Sequence, residues 1–222
     1  MMSSQFLGRT NRAFPPVWLS LGLPPGPAGT DWAPALVEEA LAAKTVLDIS
    51  INPGLWGGLM RGTDALLMAR GNADIENATD SRHAFDLIQA HLLQTLSAIG
   101  REQIDFYFLK IRRVLEEFQI EGALEALASA REEGNIVHLG IDADGPGLAI
   151  LGVWQFHDAF EVALLPNPKQ RPEDFSMLAS LAAERRVGIA SLGEPHEQSH
   201  AVLALCTSPT QVRELHLVGG KA

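Results

Sequence analysis

Cysteine and tyrosine each occur once in this chain, as Cys206 and Tyr107. A lone cysteine cannot form an intrachain disulfide, which is typical of proteins kept in a reducing cytoplasm. Long apolar runs are missing too. The segment 17–23 is the only apolar stretch near the start, and it is too short and too closely flanked by prolines for a signal peptide or a membrane span. We therefore expect a cytoplasmic protein without a membrane partner.

Positive charge is scarce as well, with 17 lysines and arginines against 27 aspartates and glutamates and a net charge of −10. This balance repels polyanions and argues against nucleic acid or an anionic membrane surface as partner. Apolar residues, in contrast, make up 46% of the chain, and the mean hydropathy is +0.07. The composition is therefore that of a folded globular chain with a large core.

Segments that are apolar on both faces alternate with segments of helical period along the chain. The predicted strands cover residues 17–22, 45–50, 65–69, 104–109, 136–141, 160–165, 187–192 and 214–218. The predicted helices cover residues 31–43, 81–99, 119–133, 146–155, 172–186 and 196–206. Repeated strand–helix–strand units with right-handed crossovers close into a TIM-type (β/α)8 barrel. We predict one barrel domain over residues 1–222, in which the second and eighth helices are short or missing.

Several motifs occur in the order that one enzyme family shows. Residues 46–48 are similar to a strand that ends in an active-site aspartate, and residues 133–141 are similar to a Gly-Lys-Ile-Arg turn and strand. Further similar segments are residues 7–10, 17–22, 36–43, 92–100, 103–107, 123–127 and 167–168. Together they resemble the aldo-keto reductases over most of the chain. The resemblance implies a barrel that reduces carbonyl compounds with NADPH.

The resemblance also implies four catalytic positions. In the family a tyrosine donates a proton, a lysine paired with an aspartate activates it, and a histidine orients the carbonyl. The aspartate is present as Asp48, but Pro53 stands at the tyrosine position, Arg70 at the lysine position and Lys110 at the histidine position. Proline has no proton to give, and a guanidinium is not a tunable acid at neutral pH. We expect a catalytically degenerate member that is not an active reductase.

Positions that would hold the cofactor differ from the family as well. The pair that grips the carboxamide corresponds to Asp142 and Ala143, a glutamine to Ala163, and the aromatic ring that stacks on the nicotinamide to about Leu192. Only residues 219–222 follow the last predicted strand, where the family has a phosphate-clamping loop and helix. We therefore expect no cofactor, with NADPH only if the chain is a reductase after all.

The remaining polar residues have more than one interpretation. Asp48, Arg70 and Lys110 at the mouth of the barrel could bind a small molecule, or they could form a closed ion-pair network. Lys110 could also act as a Schiff-base nucleophile if it is desolvated. His196 and His200 lie four apart on a predicted helix, a spacing that suits two metal ligands, but no third ligand is recognisable and we predict no metal site. Asp142 and Asp144 could bind a cation or serve only the turn between them.

Two functional classes follow from this pattern. The first is a non-catalytic protein-interaction or regulatory subunit, which we expect because a missing final helix would leave an apolar flank for a protein partner or a second copy. The second is an enzyme of the aldo-keto reductase type, or one with altered chemistry on a small carbonyl or anionic metabolite. The first is favoured because the predicted strand ends hold few poised acids or bases.

Overall fold

The computed structural model describes residues 4–24, 31–71 and 74–219. Two short strands, β1 (Gln5–Phe6) and β2 (Ala13–Phe14), pair antiparallel ahead of a closed barrel of eight parallel strands. The barrel strands are β3 (Val17–Leu21), β4 (Val46–Asp48), β5 (Leu66–Gly71), β6 (Ile104–Lys110), β7 (Ile136–Asp142), β8 (Val162–Leu165), β9 (Gly188–Leu192) and β10 (Ala201–Cys206). β10 pairs with β3 and closes the ring. The predicted eight-stranded parallel barrel is confirmed.

The helices cover the outside of the barrel. They are α1 (Trp32–Ala42), α2 (Pro53–Met60), α3 (Ser81–Ile99), α4 (Glu117–Glu132), α5 (Gly147–Trp154), α6 (Pro172–Glu184) and α7 (Pro209–Gly219). The prediction for α3 matches both ends, because Asp80 caps its first turn and Gly100 ends it in the left-handed conformation. The second helix is short, as predicted, with eight residues. Within the described ranges, no helix combines the length and the apolar character needed to cross a bilayer.

The last two elements differ from the prediction. The sequence predicts a helix over residues 196–206 and a final strand over 214–218, and both predictions are wrong, because Ala201–Cys206 form β10 and Pro209–Gly219 form α7. The six-residue apolar run of β10 has no polar position that reveals its period, so its pattern fits a strand and a helix equally well. Pro209 was the available signal, since proline is favoured in the first turn of a helix.

The eighth helix is therefore present, and the missing one lies between β9 and β10. α7 packs against α1, β3 and β10 and closes the flank that was expected to need a partner. Residues 193–200 connect β9 to β10 without a helix and lie along β9. The amide of His200 donates to the Ile189 carbonyl at 2.8 Å, and the Ile189 amide donates to His200 Nδ1 at 3.1 Å. His196 and His200 thus lie in a loop and do not form a helical pair.

Large aromatic side chains fill the barrel interior near the start of the strands. The ring of Phe106 lies 5.2 Å from that of Trp18 and 5.0 Å from that of Phe14, between centroids. Phe14 belongs to the β1–β2 hairpin, which together with Leu7 closes the end of the barrel where the strands begin. Because side chains alternate along a strand, the inward positions two residues further on reach the opposite end. Polar inward side chains collect there, at the carboxyl ends of the strands.

We predict that two glycines in the helices respond oppositely to alanine. A Cβ atom on Gly122 of α4 would lie 2.1 Å from the Ser81 carbonyl oxygen of α3, whereas one on Gly152 of α5 would meet nothing within 4 Å. Gly122→Ala should lower the free energy of unfolding by about 1–3 kcal/mol, since the two helices must move apart. Gly152→Ala should raise it by about 0.5–1 kcal/mol because a helical glycine is entropically costly. Urea unfolding of both variants measures this, and equal effects would contradict the close packing of α3 on α4.

Candidate functional site

Four charged side chains from neighbouring strands point into the mouth of the barrel. Asp48 ends β4, Arg70 lies near the end of β5, and Lys110 and Asp142 end β6 and β7. Lys110 and Asp142 are directly opposite each other in the β6–β7 register. The predicted Asp48, Arg70 and Lys110 thus lie at one end of the barrel, but a fourth residue, Asp142, lies among them.

Asp48 is fully buried and well supplied with donors. The Ser20 hydroxyl donates to Oδ2 at 2.9 Å, and the Ser50 amide donates to Oδ1 at 3.0 Å. The Ser50 hydroxyl donates to the same Oδ1 and accepts the Arg70 amide at 2.7 Å. Arg70 Nε lies 3.1 Å from Asp48 Oδ2, within ion-pair distance but out of line for a hydrogen bond. Asp48 is therefore a fixed acceptor that positions the Arg70 guanidinium.

Asp142 is also fully buried, but neither of its carboxyl oxygens receives a hydrogen bond. The nearest cationic atom is Arg70 Nη1, 3.7 Å from Oδ2. Burial raises the pKa of Asp142 to about 7, although the positive charges of Arg70 and Lys110 oppose this shift. Asp142 therefore lacks the donors that Ser20 and Ser50 supply to Asp48.

Lys110 and Asp144 form the rim of the cluster. Lys110 Nζ lies 3.1 Å from Asp144 Oδ2, and the two side chains are 22% and 41% exposed. The prediction placed Lys110 near Asp48, but its ion pair is with Asp144. The pKa of Arg70 is raised, because the nearby carboxylates outweigh the opposing effect of its burial. The mouth thus holds two cations and three carboxyl groups.

The turn that carries Asp144 has its own support. The Arg171 guanidinium donates to the Asp144 carbonyl at 3.2 Å and to the Gly145 carbonyl, and it is paired with Asp174. This accounts for the turn without a bound cation. In the described parts of the chain, no group of three or more His, Cys, Asp or Glu side chains could hold a metal ion.

No phenol lies at the mouth. Pro53 is the first residue of α2, behind Asn52, whose side chain accepts the Leu55 amide at 3.1 Å. Tyr107, the one tyrosine in the sequence, packs in the outer core and lies 2.8 Å from Nδ1 of His91 on α3. Burial raises the pKa of Tyr107 well above its ordinary value. Neither position can supply the general acid that the resemblance implies.

The side chains at the expected nicotinamide positions do not fit that group. Ala143 is fully buried, and Ala163 packs in the outer core, away from the barrel interior. Leu192 offers no aromatic ring, and Asp142 is enclosed beneath the other charges. A carboxamide would therefore meet no exposed donor and acceptor pair of side chains at these positions.

The expected absence of a helix after the last barrel strand is wrong. A helix does follow the last strand, since α7 starts at Pro209, three residues after β10 ends. Ser208 precedes it, and the Gln211 amide donates to the Ser208 hydroxyl at 3.4 Å. The Thr207 amide donates to Gln211 Oε1 at 2.8 Å. Because α7 is present, a missing helix is not a ground for excluding phosphate binding at this position.

Comparison with known proteins gave structural matches only. No family model matches the chain, and no curated protein matches it in sequence. A putative aldo-keto reductase of Pseudomonas aeruginosa superposes with a TM-score of 0.75 at 14% identity, covering 98% of this chain and 94% of that one. The chain has the aldo-keto reductase fold.

Two other aldo-keto reductase structures support this assignment. The apo form of the enzyme from Bacillus halodurans gives a TM-score of 0.72 at 16% identity, with 100% of this chain and 91% of that chain covered. An aldo/keto reductase from Brucella melitensis gives 0.69 at 14% identity, with 96% and 92% covered. At these identities the likeness is one of fold, so the function must be argued from the site.

We predict that Asp142 makes the protein less stable as the pH rises. The carboxyl has an ordinary pKa of 3.8 when unfolded and about 7 when folded. Between these values the unfolded chain has lost the proton that the folded chain retains, so ionisation favours unfolding and stability falls; above about pH 7 the loss is complete. Asp142→Asn removes this effect. Its stability relative to wild type should rise between about pH 4 and pH 7 and then stay level.

Urea unfolding across this pH range measures the difference between the two proteins. Asp86→Asn is the matched control, because its carboxyl is exposed on α3 and pairs with Arg82 and not with a residue of the mouth. A wild type and an Asp142→Asn variant with the same pH dependence would contradict the assigned shift.

Proposed function

We propose that this protein binds a small anionic or carbonyl compound at the mouth of its barrel and does not use the phenol-based reduction of the aldo-keto reductases. The supporting observation is Asp142, a fully buried carboxyl group without a hydrogen-bond donor. A closed ion-pair network would give each buried carboxylate hydrogen-bond donors, because a buried charge without them is costly. Asp142 has only Arg70 Nη1 nearby, at 3.7 Å. The cluster is therefore better explained as a functional site than as a filled cavity.

The exposed parts of the site suggest the chemistry of the ligand. Arg70 and Lys110 are the cations nearest the opening, with side chains 19% and 22% exposed. The other side of the rim is apolar, since Leu23, Ile51 and Leu205 are exposed around the ends of β3, β4 and β10. A ligand with an anionic group and a small apolar part matches both sides. Ligands of TIM barrels bind at this end of the strands.

Altered chemistry through Lys110 has less support. Its ammonium group is paired with Asp144 at 3.1 Å and is 22% exposed, whereas a Schiff-base lysine needs a desolvated amine. Asp142 is the better candidate for moving a proton.

We predict that the purified protein neither oxidises NADPH in the presence of benzaldehyde-type substrates nor binds NADPH with micromolar affinity. The missing general acid alone typically removes a factor of about 10²–10⁴ in rate. Absorbance assays beside an active aldo-keto reductase, together with titration calorimetry, check both points. Steady turnover would refute the first part, and a micromolar dissociation constant would refute the second.

A protein-interaction role is the second candidate, although the final helix, whose absence would expose an apolar flank, is present as α7. Another observation favours it. Leu148 and Phe156, at the start of α5 and just after its end, are each 75% exposed, and Gly152 between them leaves open space. Exposed apolar groups of this kind often lie at interfaces. A protein partner or a second copy at α5 therefore remains a proposal.

We predict that the protein self-associates through α5. Light scattering of the wild type should then show dimers that dissociate when Leu148 and Phe156 are both replaced by glutamate, since charges oppose apolar contact. Leu93→Glu, on exposed α3 surface, is the control and should leave the dimer intact. A monomer at all wild-type concentrations would contradict self-association.

A further inference from the structure

We propose that anion binding by Arg70 and Lys110 is coupled to the uptake of a proton by Asp142, so that the barrel mouth takes up a small carboxylate together with a proton. This inference rests on the proposed function and deepens it, because it specifies the ligand's charge and how pH controls its binding.

The mouth has more carboxyl groups than cations. Asp142 is faced by Arg70 from β5, Lys110 from β6, Asp48 from β4 and Asp144 from the loop that follows β7. Arg70 is paired with Asp48 at 3.1 Å, and Lys110 is paired with Asp144 at 3.1 Å. Each cation thus already has a carboxylate partner. The third carboxyl group, Asp142, has no cation of its own.

Asp142 is the carboxyl group that takes the proton. Asp48 accepts hydrogen bonds from Ser20 and Ser50, so both of its oxygens have donors. Asp144 is partly exposed, so water can stabilise its charge. Asp142 is fully buried and has no hydrogen-bond donor. Its ionised form is therefore the least stabilised of the three, consistent with a pKa of about 7.

Anion binding and protonation of Asp142 favour each other. An anion on Arg70 and Lys110 adds negative charge beside Asp142, and like charges favour the protonated carboxyl. Conversely, protonated Asp142 no longer attracts Arg70 Nη1, which lies 3.7 Å from Oδ2. Nη1 is then available to the ligand, while Nε stays paired with Asp48. Since linkage is reciprocal, each event favours the other by the same factor.

The test is titration calorimetry with pyruvate and, separately, sulfate, two anions that remain ionised across the pH range. Measuring each in two buffers of different ionisation enthalpy gives the protons taken up per anion bound. We expect close to one proton at about pH 8 and close to none at about pH 5, where Asp142 is already protonated. The affinity should weaken by up to about tenfold per pH unit above pH 7.

Variants separate this proposal from the proposed function. Asp142→Asn, with Asp142→Ala as a second version should the first not fold, should bind both anions without proton uptake and with little dependence on pH. Asp86→Asn, at an exposed position of α3 that pairs with Arg82, should retain the uptake, and Arg70→Gln should lose most of the binding. Wild-type binding without proton uptake, or uptake that persists in both Asp142 variants, would overturn the coupling alone. If the wild type binds neither pyruvate nor sulfate at any pH, the proposed anion-binding site is overturned as well.

Discussion

The packing of Phe106 against Trp18 and Phe14 divides the barrel into two regions. These rings occupy the interior near the start of the strands, where a polar side chain loses its contact with water. His138, which packs against Phe106 there, lies 3.3 Å from Glu161 through Nδ1. Each of four strands consequently changes from apolar to polar at its inward positions, from Trp18 to Ser20, Val46 to Asp48, Met68 to Arg70 and Phe108 to Lys110. The charged site stands directly on this apolar floor, which explains why an unsupported carboxylate is so unfavourable in it.

Within the site, a guanidinium in place of a lysine changes the chemistry. Arg70 lies within 4 Å of both Asp48 and Asp142, and its planar fork can face two carboxyl groups at once. It remains charged at any physiological pH, so a change in charge at the mouth must occur elsewhere. Asp142 is the group whose surroundings permit that change. This aldo-keto reductase fold thus has a buried carboxyl group, and no phenol, as the titratable group at its mouth.

The sequence predicted most of the barrel, because parallel strands covered on both sides are apolar throughout and helices have a clear period. β6 and β7 were predicted to within one residue. The prediction failed at β10 and α7, where a short apolar run was assigned to a helix. For the same reason the missing helix was placed after the last strand, and the interaction-subunit hypothesis depended on that placement.

Asp48, Arg70 and Lys110 could be proposed from the sequence because each stands near the end of a strand, and strand ends meet at one face of a barrel. Their partners could not. Whether Asp142 belongs to a solvated turn or lies buried opposite Lys110 depends on the β6–β7 register and on the alternation that turns both side chains inward. The sequence by itself determined the barrel and the charges at its mouth. Only the tertiary structure decided which carboxyl group has donors and which has none, because hydrogen bonding and burial there depend on residues far apart in the chain.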